Sequence, residues 1–265
     1  MTDHALDAAA GRASPARAGW RRAAWRQYRL ERRMFWRNPS AAFFNFALPL
    51  LFLALFGAIF AGQDADLQVI VPGIAGLSVM STTFSALAMN LTFLRETGIL
   101  KRVRGTPLPT SAYLAGLAGN ALTNTLLQVG IITAAGVAVF GLDWPRDWLA
   151  LVVFVALGVA CFASLGVALS HAIPNLESAP AYTNIVFLPV IFISGAFYDA
   201  DQAPGVLRDV AEVLPLKHLI DGLSGALVTG AGVGANAVAL LVLGLWTVAG
   251  AVLAVRGFSW EARRS

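Results

Sequence analysis

The stretch that decides the fold is Trp148 to Ser170, WLALVVFVALGVACFASLGVALS, which contains no charged residue. A helix rises about 1.5 Å per residue, so a run of this length can cross the ~30 Å hydrocarbon core of a bilayer. Each Asp, Lys or Arg at the centre of such a helix would cost roughly 3 kcal/mol on insertion. The stretch therefore predicts a membrane-spanning helix.

The rest of the chain repeats this pattern. Hydrophobic residues make up 57% of the 265 positions and charged residues 13%, whereas about a quarter of a soluble domain is charged. The uncharged runs are Ala41–Ala61, Val69–Phe93, Tyr113–Phe140, Trp148–Ser170, Ala181–Tyr198 and Asn236–Val255. We therefore predict an all-α, polytopic membrane protein whose six transmembrane helices occupy residues 41–255.

The basic residues predict the orientation. Sixteen of the 19 arginine and lysine residues lie before the first run, between the second and third, or after the last. Positive charge concentrates in cytoplasmic loops, so both termini and the 256–265 tail are predicted to be cytoplasmic. An even number of spans agrees. The stretch Leu216 to Ala235 would add a seventh span, but it carries Lys217, His218 and Asp221, so we predict an external loop there.

Residues 20–40 show a helical period of their own. One side carries Trp20, Ala24, Tyr28 and Phe35, and the opposite side carries Arg22, Arg26, Arg29, Arg33 and Arg37. This pattern predicts an amphipathic helix in the inner membrane interface, interrupted at Asn38-Pro39. The alternative is a disordered basic tail that only fixes topology. Residues 1–19 are Ala-rich and aperiodic, which predicts a disordered tail.

Catalytic motifs are weak. A P-loop needs a lysine followed by Ser or Thr, and neither Lys101 nor Lys217 has one, so we predict no ATPase site and no cofactor bound by this chain. The three histidines are too scattered to indicate a metal site. The run Gly222 to Gly225 contains Ser224 in the Gly-x-Ser-Gly pattern of intramembrane proteases, but no histidine follows His218 to act as its base.

A charged loop, RETGILKRVRGTPLP from Arg95 to Pro109, separates the second and third runs. Leu94 to Arg104 is compatible with a short helix that ends at Gly105 and Pro107. Such a helix, lying parallel to the membrane, could pass motion to the spans on either side. An ordinary basic loop that sets topology is the alternative.

This loop, followed by Tyr113, resembles the first cytoplasmic loop of ABC-2 type permeases, the membrane subunits of ABC exporters, especially those of the daunorubicin-resistance type. Ile193 to Leu223, ISGAFYDADQAPGVLRDVAEVLPLKHLIDGL, is similar to the family's fifth span and the segment after it. The resemblance implies a bacterial plasma-membrane permease that exports a hydrophobic small molecule, drug or lipid. It also implies a separate ATPase subunit that binds ATP and Mg, a second permease chain (normally a homodimer), contact with membrane lipids, and no nucleic-acid partner.

In that family the loop forms the coupling helix, which docks on the ATPase. Carried over by position, the coupling residues are Glu96, Gly98, Ile99, Leu100, Lys101, Arg104 and Thr106. Ile99 and Leu100 are expected to occupy an apolar groove of the ATPase, with Glu96 and Lys101 making charged contacts at its rim. Members often carry a second acidic residue beside the Glu, where this chain has Leu94 and Arg95.

Polar residues within the runs suggest a transport path. Asn120, Asn124 and Gln128 recur every four residues, so they form a stripe on one helix face with Thr123 beside it. Asn90 and Asn184 add further amides. The stripe either lines a path between two subunits or supplies hydrogen bonds between helices, worth about 1 kcal/mol each.

Two other functions compete with export. An ion-driven secondary carrier would need a titratable residue within a span, and the six runs contain none. An intramembrane hydrolase would need Ser224 on a span beside a histidine. Both alternatives are less well supported by the sequence than a permease.

Overall fold

The computed structural model describes residues 15–60, 64–198 and 204–257. In these ranges the regular secondary structure is entirely helical, which confirms the predicted all-α class. The α-helices are α1 Pro15–Trp36, α2 Pro39–Ile59, α3 Asp64–Met80, α4 Ala86–Glu96, α5 Ile99–Arg104, α6 Thr110–Phe140, α7 Trp148–Ser170, α8 Ala179–Ile193, α9 Gly205–Ala211, α10 Pro215–Ser224 and α11 Ala237–Gly257.

Within the described ranges, five helical segments are long and apolar enough to cross a membrane: α2, α3 with α4, α6, α7 and α11. Helix α7 has the predicted bounds, and a π-helical turn, Ser81–Ser85, joins α3 to α4. The fifth predicted span, Ala181–Tyr198, differs. Its helix α8 stops at Ile193 after 15 residues, about 22 Å, and the chain turns through Gly195 at φ 75°. The count of six spans and the cytoplasmic termini remain predictions.

Helix α1 begins at Pro15, inside the segment predicted to be a disordered tail, and ends at Trp36, just before the Asn38-Pro39 break. It packs along the first half of α6. Ala24 and Tyr28 lie on its partly buried face, whereas Arg26 and Arg29 are exposed, as the predicted two-sided pattern requires. Residues 1–14 and 258–265, which include most of the predicted tails, lie outside the described residues.

The core lies where α3, α7, α10 and α11 meet. Phe154 and Phe162 of α7 and Leu219 and Leu223 of α10 are fully buried there. Small residues allow the close approach: a Cβ added to Gly158 would lie 2.8 Å from a Leu219 methyl. Helix α10 is therefore a central packing element of the bundle.

The first half of the predicted external loop, Leu216 to Ala235, is not a loop, because α10 and the π-helical turn Gly225–Thr229 are buried in the bundle. Its side of the membrane stays a prediction. The charged side chains that argued against burial are paired. Lys217 Nζ lies 2.9 Å from Asp221 Oδ2 and 3.4 Å from Glu212 Oε1, and a His218 ring nitrogen bonds the Glu212 carbonyl at 2.8 Å. A buried lysine is tolerated when it is paired in this way.

Candidate functional site

The charged loop forms a helical turn between two spans. Gly98 joins α4 to α5 at φ 73°, a left-handed conformation that glycine adopts without the strain a Cβ would cause. Helix α5 then runs for six residues, from Ile99 to Arg104, and Gly105 follows its end. The Thr106 hydroxyl donates to the Val103 carbonyl at 2.6 Å, which closes the end of the helix. The short helix predicted from Leu94 to Arg104 is therefore present only from Ile99, because its first residues belong to α4.

The two apolar residues of α5 point in different directions. Leu100 is 2% exposed and packs in a cluster with Leu87, Leu91 and Tyr113 of the same chain. Ile99 is 37% exposed. The prediction that both would enter a groove on the ATPase is therefore wrong for Leu100, because adjacent helical residues lie about 100° apart and only one of them can face outward here.

The other predicted coupling residues lie within seven positions of Ile99 in the chain. Glu96, Lys101, Arg104 and Thr106 are all exposed, and Gly98 is half-buried. Ile99 is thus an exposed apolar residue on a short helix that also carries exposed basic side chains, and the acidic Glu96 precedes it in the chain. Such a surface can dock on a protein groove through a buried centre and a charged rim.

Arg95 is the residue that sequence reasoning did not use. In the sequence it is only a departure from the second acidic residue expected beside Glu96. In the structure its side chain turns inward and is 5% exposed. Its guanidinium donates to the carbonyls of Ser170 at 2.9 Å and Ile173 at 2.6 Å. A charged side chain in a predicted surface loop gives no signal of such burial.

The polar stripe on α6 is largely enclosed within one chain. Asn124 and Gln128 are each 3% exposed. Arg32 of α1 donates to the Asn124 amide oxygen, Thr82 donates to the Gln128 amide oxygen at 2.8 Å, and the Gln128 amide donates to the Asn45 carbonyl. These bonds tie α6 to α1, α2 and the π-turn of the second span.

The remaining path residues are more scattered. Thr123 lies 3.2 Å from the Tyr28 hydroxyl, so it also contacts α1. The buried Asn120 amide oxygen has no hydrogen-bond partner among the described residues. Asn90 on α4 is half-buried and Asn184 on α8 is exposed. The structure thus brings four of the six predicted residues together and leaves Asn90 and Asn184 on other helices.

Helix α1 also buries its single acidic side chain. Glu31 is 8% exposed and accepts a hydrogen bond from the Gln27 amide at 2.7 Å. Burial raises the pKa of Glu31, and the Gln27 bond partly opposes that rise. The exposed face of α1 consequently carries arginines without a carboxylate among them.

A separate apolar cleft opens between α7, α8 and α11. It has a volume of about 630 Å³ and includes Phe84 of the π-turn, Phe162, Val190 and Trp246 in its walls. The corner between α9 and α10 closes one end, where the Trp246 indole donates to the Val213 carbonyl at 2.9 Å. Its size lies within the 300–1,000 Å³ range of small-molecule sites.

Comparison with known proteins agrees with this arrangement. Residues 22–228 match the model of the ABC-2 type transporter family. Nodulation protein J from Rhizobium meliloti (strain 1021) is 29% identical over 67% of this chain and 70% of its own length. Daunorubicin resistance ABC transporter permease protein DrrB1 from Streptomyces coeruleorubidus is 28% identical over 64% of this chain and 62% of its own length.

A more distant relative, linearmycin resistance permease protein LnrN from Bacillus subtilis (strain 168), is 24% identical over 59% of this chain and 41% of its own length. The family match covers helix α5, the polar stripe and the buried helix α10. The apolar helices of this chain are those expected of a membrane protein, and they are consistent with the predicted location in a bacterial plasma membrane. The chain belongs to the ABC-2 type transporter family, and it is a membrane permease subunit of an ABC transporter.

Proposed function

We propose that this chain exports a hydrophobic small molecule, drug or lipid, using ATP hydrolysed by a separate ATPase subunit. The observation that carries the proposal is α5 itself, which exposes Ile99, Lys101 and Arg104 just after the exposed Glu96, while Leu100 anchors the helix to its own bundle. A docking helix needs both features, an outward contact surface and an inward attachment. ATP and Mg would be held by the partner.

We further propose that two permease chains, in the simplest case two copies of this one, act together on a pair of ATPase subunits. Each chain offers a single α5 to one ATPase. Closure of the ATPases around ATP would move both α5 helices and open a path outward. The resistance permeases among the relatives support a drug-like cargo, although their names describe those proteins alone.

For the cargo route, the apolar cleft beside Trp246 supports a hydrophobic substrate that enters from the bilayer. Exposed Asn184 and half-buried Asn90 remain candidates for polar contacts along the path. Asn120, Thr123, Asn124 and Gln128 are better suited to holding α6 against α1 and α2, because three of the four already bond within the chain.

Affinity purification from native membranes, followed by mass spectrometry, tests the function. We expect a stoichiometric soluble partner with a Walker A motif, and nucleotide hydrolysis in the purified preparation. A chain recovered without such a partner would contradict the proposal. It would favour the ion-driven carrier, for which the buried Lys217 beside Glu212 and Asp221 would be the first titratable group to test.

We also propose that the exposed face of α1 contacts anionic phospholipid headgroups on the cytoplasmic side. Large apolar side chains, Trp25 at 59% and Trp36 at 54% exposed, stand among the exposed arginines. These arginines are Arg21, Arg22, Arg26, Arg29, Arg33 and Arg37. Basic residues with interspersed tryptophans are typical of helices that lie on anionic membranes.

Replacing Arg22, Arg26 and Arg29 with Gln should weaken the stabilisation of the detergent-purified chain by phosphatidylglycerol. Each arginine near an anionic surface contributes about 1 kcal/mol, so the apparent affinity should fall by about a hundredfold. A titration of the melting temperature with dioleoylphosphatidylglycerol measures it. Neutral phosphatidylcholine and the variant Arg146→Gln, on the opposite side of the predicted membrane, serve as controls. An unchanged titration would contradict the lipid assignment.

A further inference from the structure

The Arg95 side chain connects two parts of the chain that are distant in sequence. It lies in the last turn of α4, at the end of the second span and directly before Glu96 and the turn into α5, yet it is buried. Removing a guanidinium from water costs several kcal/mol. Its two charge-assisted bonds, to the carbonyls of Ser170 and Ile173, offset that cost.

Both acceptors belong to the connection between α7 and α8. Ser170 is the last residue of α7, so its carbonyl is among those without an intrahelical donor and lies at the negative end of the helix dipole. Ile173 lies in the turn itself, fully buried in a small cluster with Ala88 of α4 and Ala179 of α8. Arg95 thus bonds the backbone of the α7–α8 turn, and the Ile173 side chain of the same turn packs beside α4.

Covalent connectivity alone would let α5 move only α4 and α6, the helices that flank it. We propose that Arg95, at the end of α4, is a positioning residue that ties the α4–α5 junction to the α7–α8 turn, so that a displacement of α5 also moves α7 and α8. This inference rests on the proposed docking of an ATPase at α5. It extends the coupling from the second and third spans to the helices that border the apolar cleft.

The chemistry of arginine suits this role. A guanidinium presents several N–H donors in a fixed plane and can hold two carbonyls at once. A lysine ammonium retains the charge but not this geometry, and a methionine retains length while losing both. Arg95→Lys should therefore weaken the connection, and Arg95→Met should break it.

Spin-label distance measurements on the full chain in lipid nanodiscs test the proposal without an ATPase. Cys161 is buried and is replaced by Ala, and labels are attached to Lys101→Cys on α5 and Glu177→Cys in the α7–α8 turn, both exposed positions. We expect a narrow distance distribution in the parent, a roughly twofold broader one in Arg95→Met and an intermediate one in Arg95→Lys. Arg102→Met, at an exposed arginine of α5, is the matched control and should leave the width unchanged.

A parent-like width in Arg95→Met would overturn the proposal, even if its melting temperature fell, because Arg95 would then only stabilise the turn locally. If Arg95→Met does not fold, Arg95→Lys decides the question, and a width equal to that of the parent counts against the connection. Failure of the ATPase to co-purify is a separate result. It would remove the docking function while leaving a measured connection between α5 and the turn in place.

Discussion

The double variant Glu96→Lys with Ile99→Asp should abolish association with the ATPase and reduce export to background. Ile99 is the exposed apolar centre of α5 and Glu96 is the exposed acid at its rim. A carboxylate in place of an apolar anchor must be desolvated inside the partner's groove, and hot-spot losses of this kind cost at least about 2 kcal/mol each. Co-purification of the ATPase and transport in vesicles measure the effect.

The matched control for that variant is Glu177→Lys, the same charge reversal on the exposed turn between α7 and α8. It should leave association intact. Leu100→Ala separates docking from folding: because Leu100 is buried against Leu87 and Tyr113, it should lower stability by about 2–5 kcal/mol while retaining the docking surface. If Glu96→Lys with Ile99→Asp still binds the ATPase, α5 is not the docking helix.

The bounds of α7 could be predicted from sequence because the signal is local. An uncharged run begins directly after Asp147, whose carboxylate accepts a hydrogen bond from the Ala150 amide at 2.9 Å and caps the helix. Long apolar runs have one low-energy state in a membrane, a helix with all backbone groups bonded internally. The same argument located α2, α6 and α11 to within a few residues.

The burial of helix α10 could not be predicted in this way, because a count of charged residues does not show whether those residues pair with one another. Lys217 and Asp221 read as solvent-exposed charges, yet they pair with each other, and Glu212 of the preceding turn joins them. The early end of α8 could not be predicted either, because it also depends on packing against another helix. The chain turns at Gly195, and Ala196 packs so closely on α3 that a Cβ on Gly73 would overlap its backbone.

The segment from Glu96 to Arg104 shows both outcomes within a few residues. Its position, its glycine and its exposed Glu96 follow from the sequence. The opposite orientations of Ile99 and Leu100 do not, because a six-residue helix is too short for its periodicity to identify the buried face. Arg95 was missed for a related reason: its acceptors are backbone carbonyls more than seventy residues away, which leave no trace in side-chain patterns.

Gly166→Val should strongly destabilise the bundle. Gly166 lies on α7 against the π-turn of the second span, and an added Cβ would lie 2.5 Å from the Phe84 carbonyl oxygen. That contact is with backbone, so no side chain can rotate away to relieve it. Small residues at such positions let membrane helices approach closely, and overpacking a tight interface costs about 3 kcal/mol or more when the backbone must move.

We expect Gly166→Val to give little folded protein, with a clear fall in the melting temperature of whatever is recovered in detergent. Gly130→Val is the matched control, because Gly130 also lies within a long apolar helix but no atom stands within 4 Å of its added Cβ. The two variants add the same β-branched side chain to a helix interior, so intrinsic helix propensity affects both alike. Equal stability of the two would contradict the close contact between α7 and the π-turn, and with it the packing that places Phe84 and Phe162 on the same cleft.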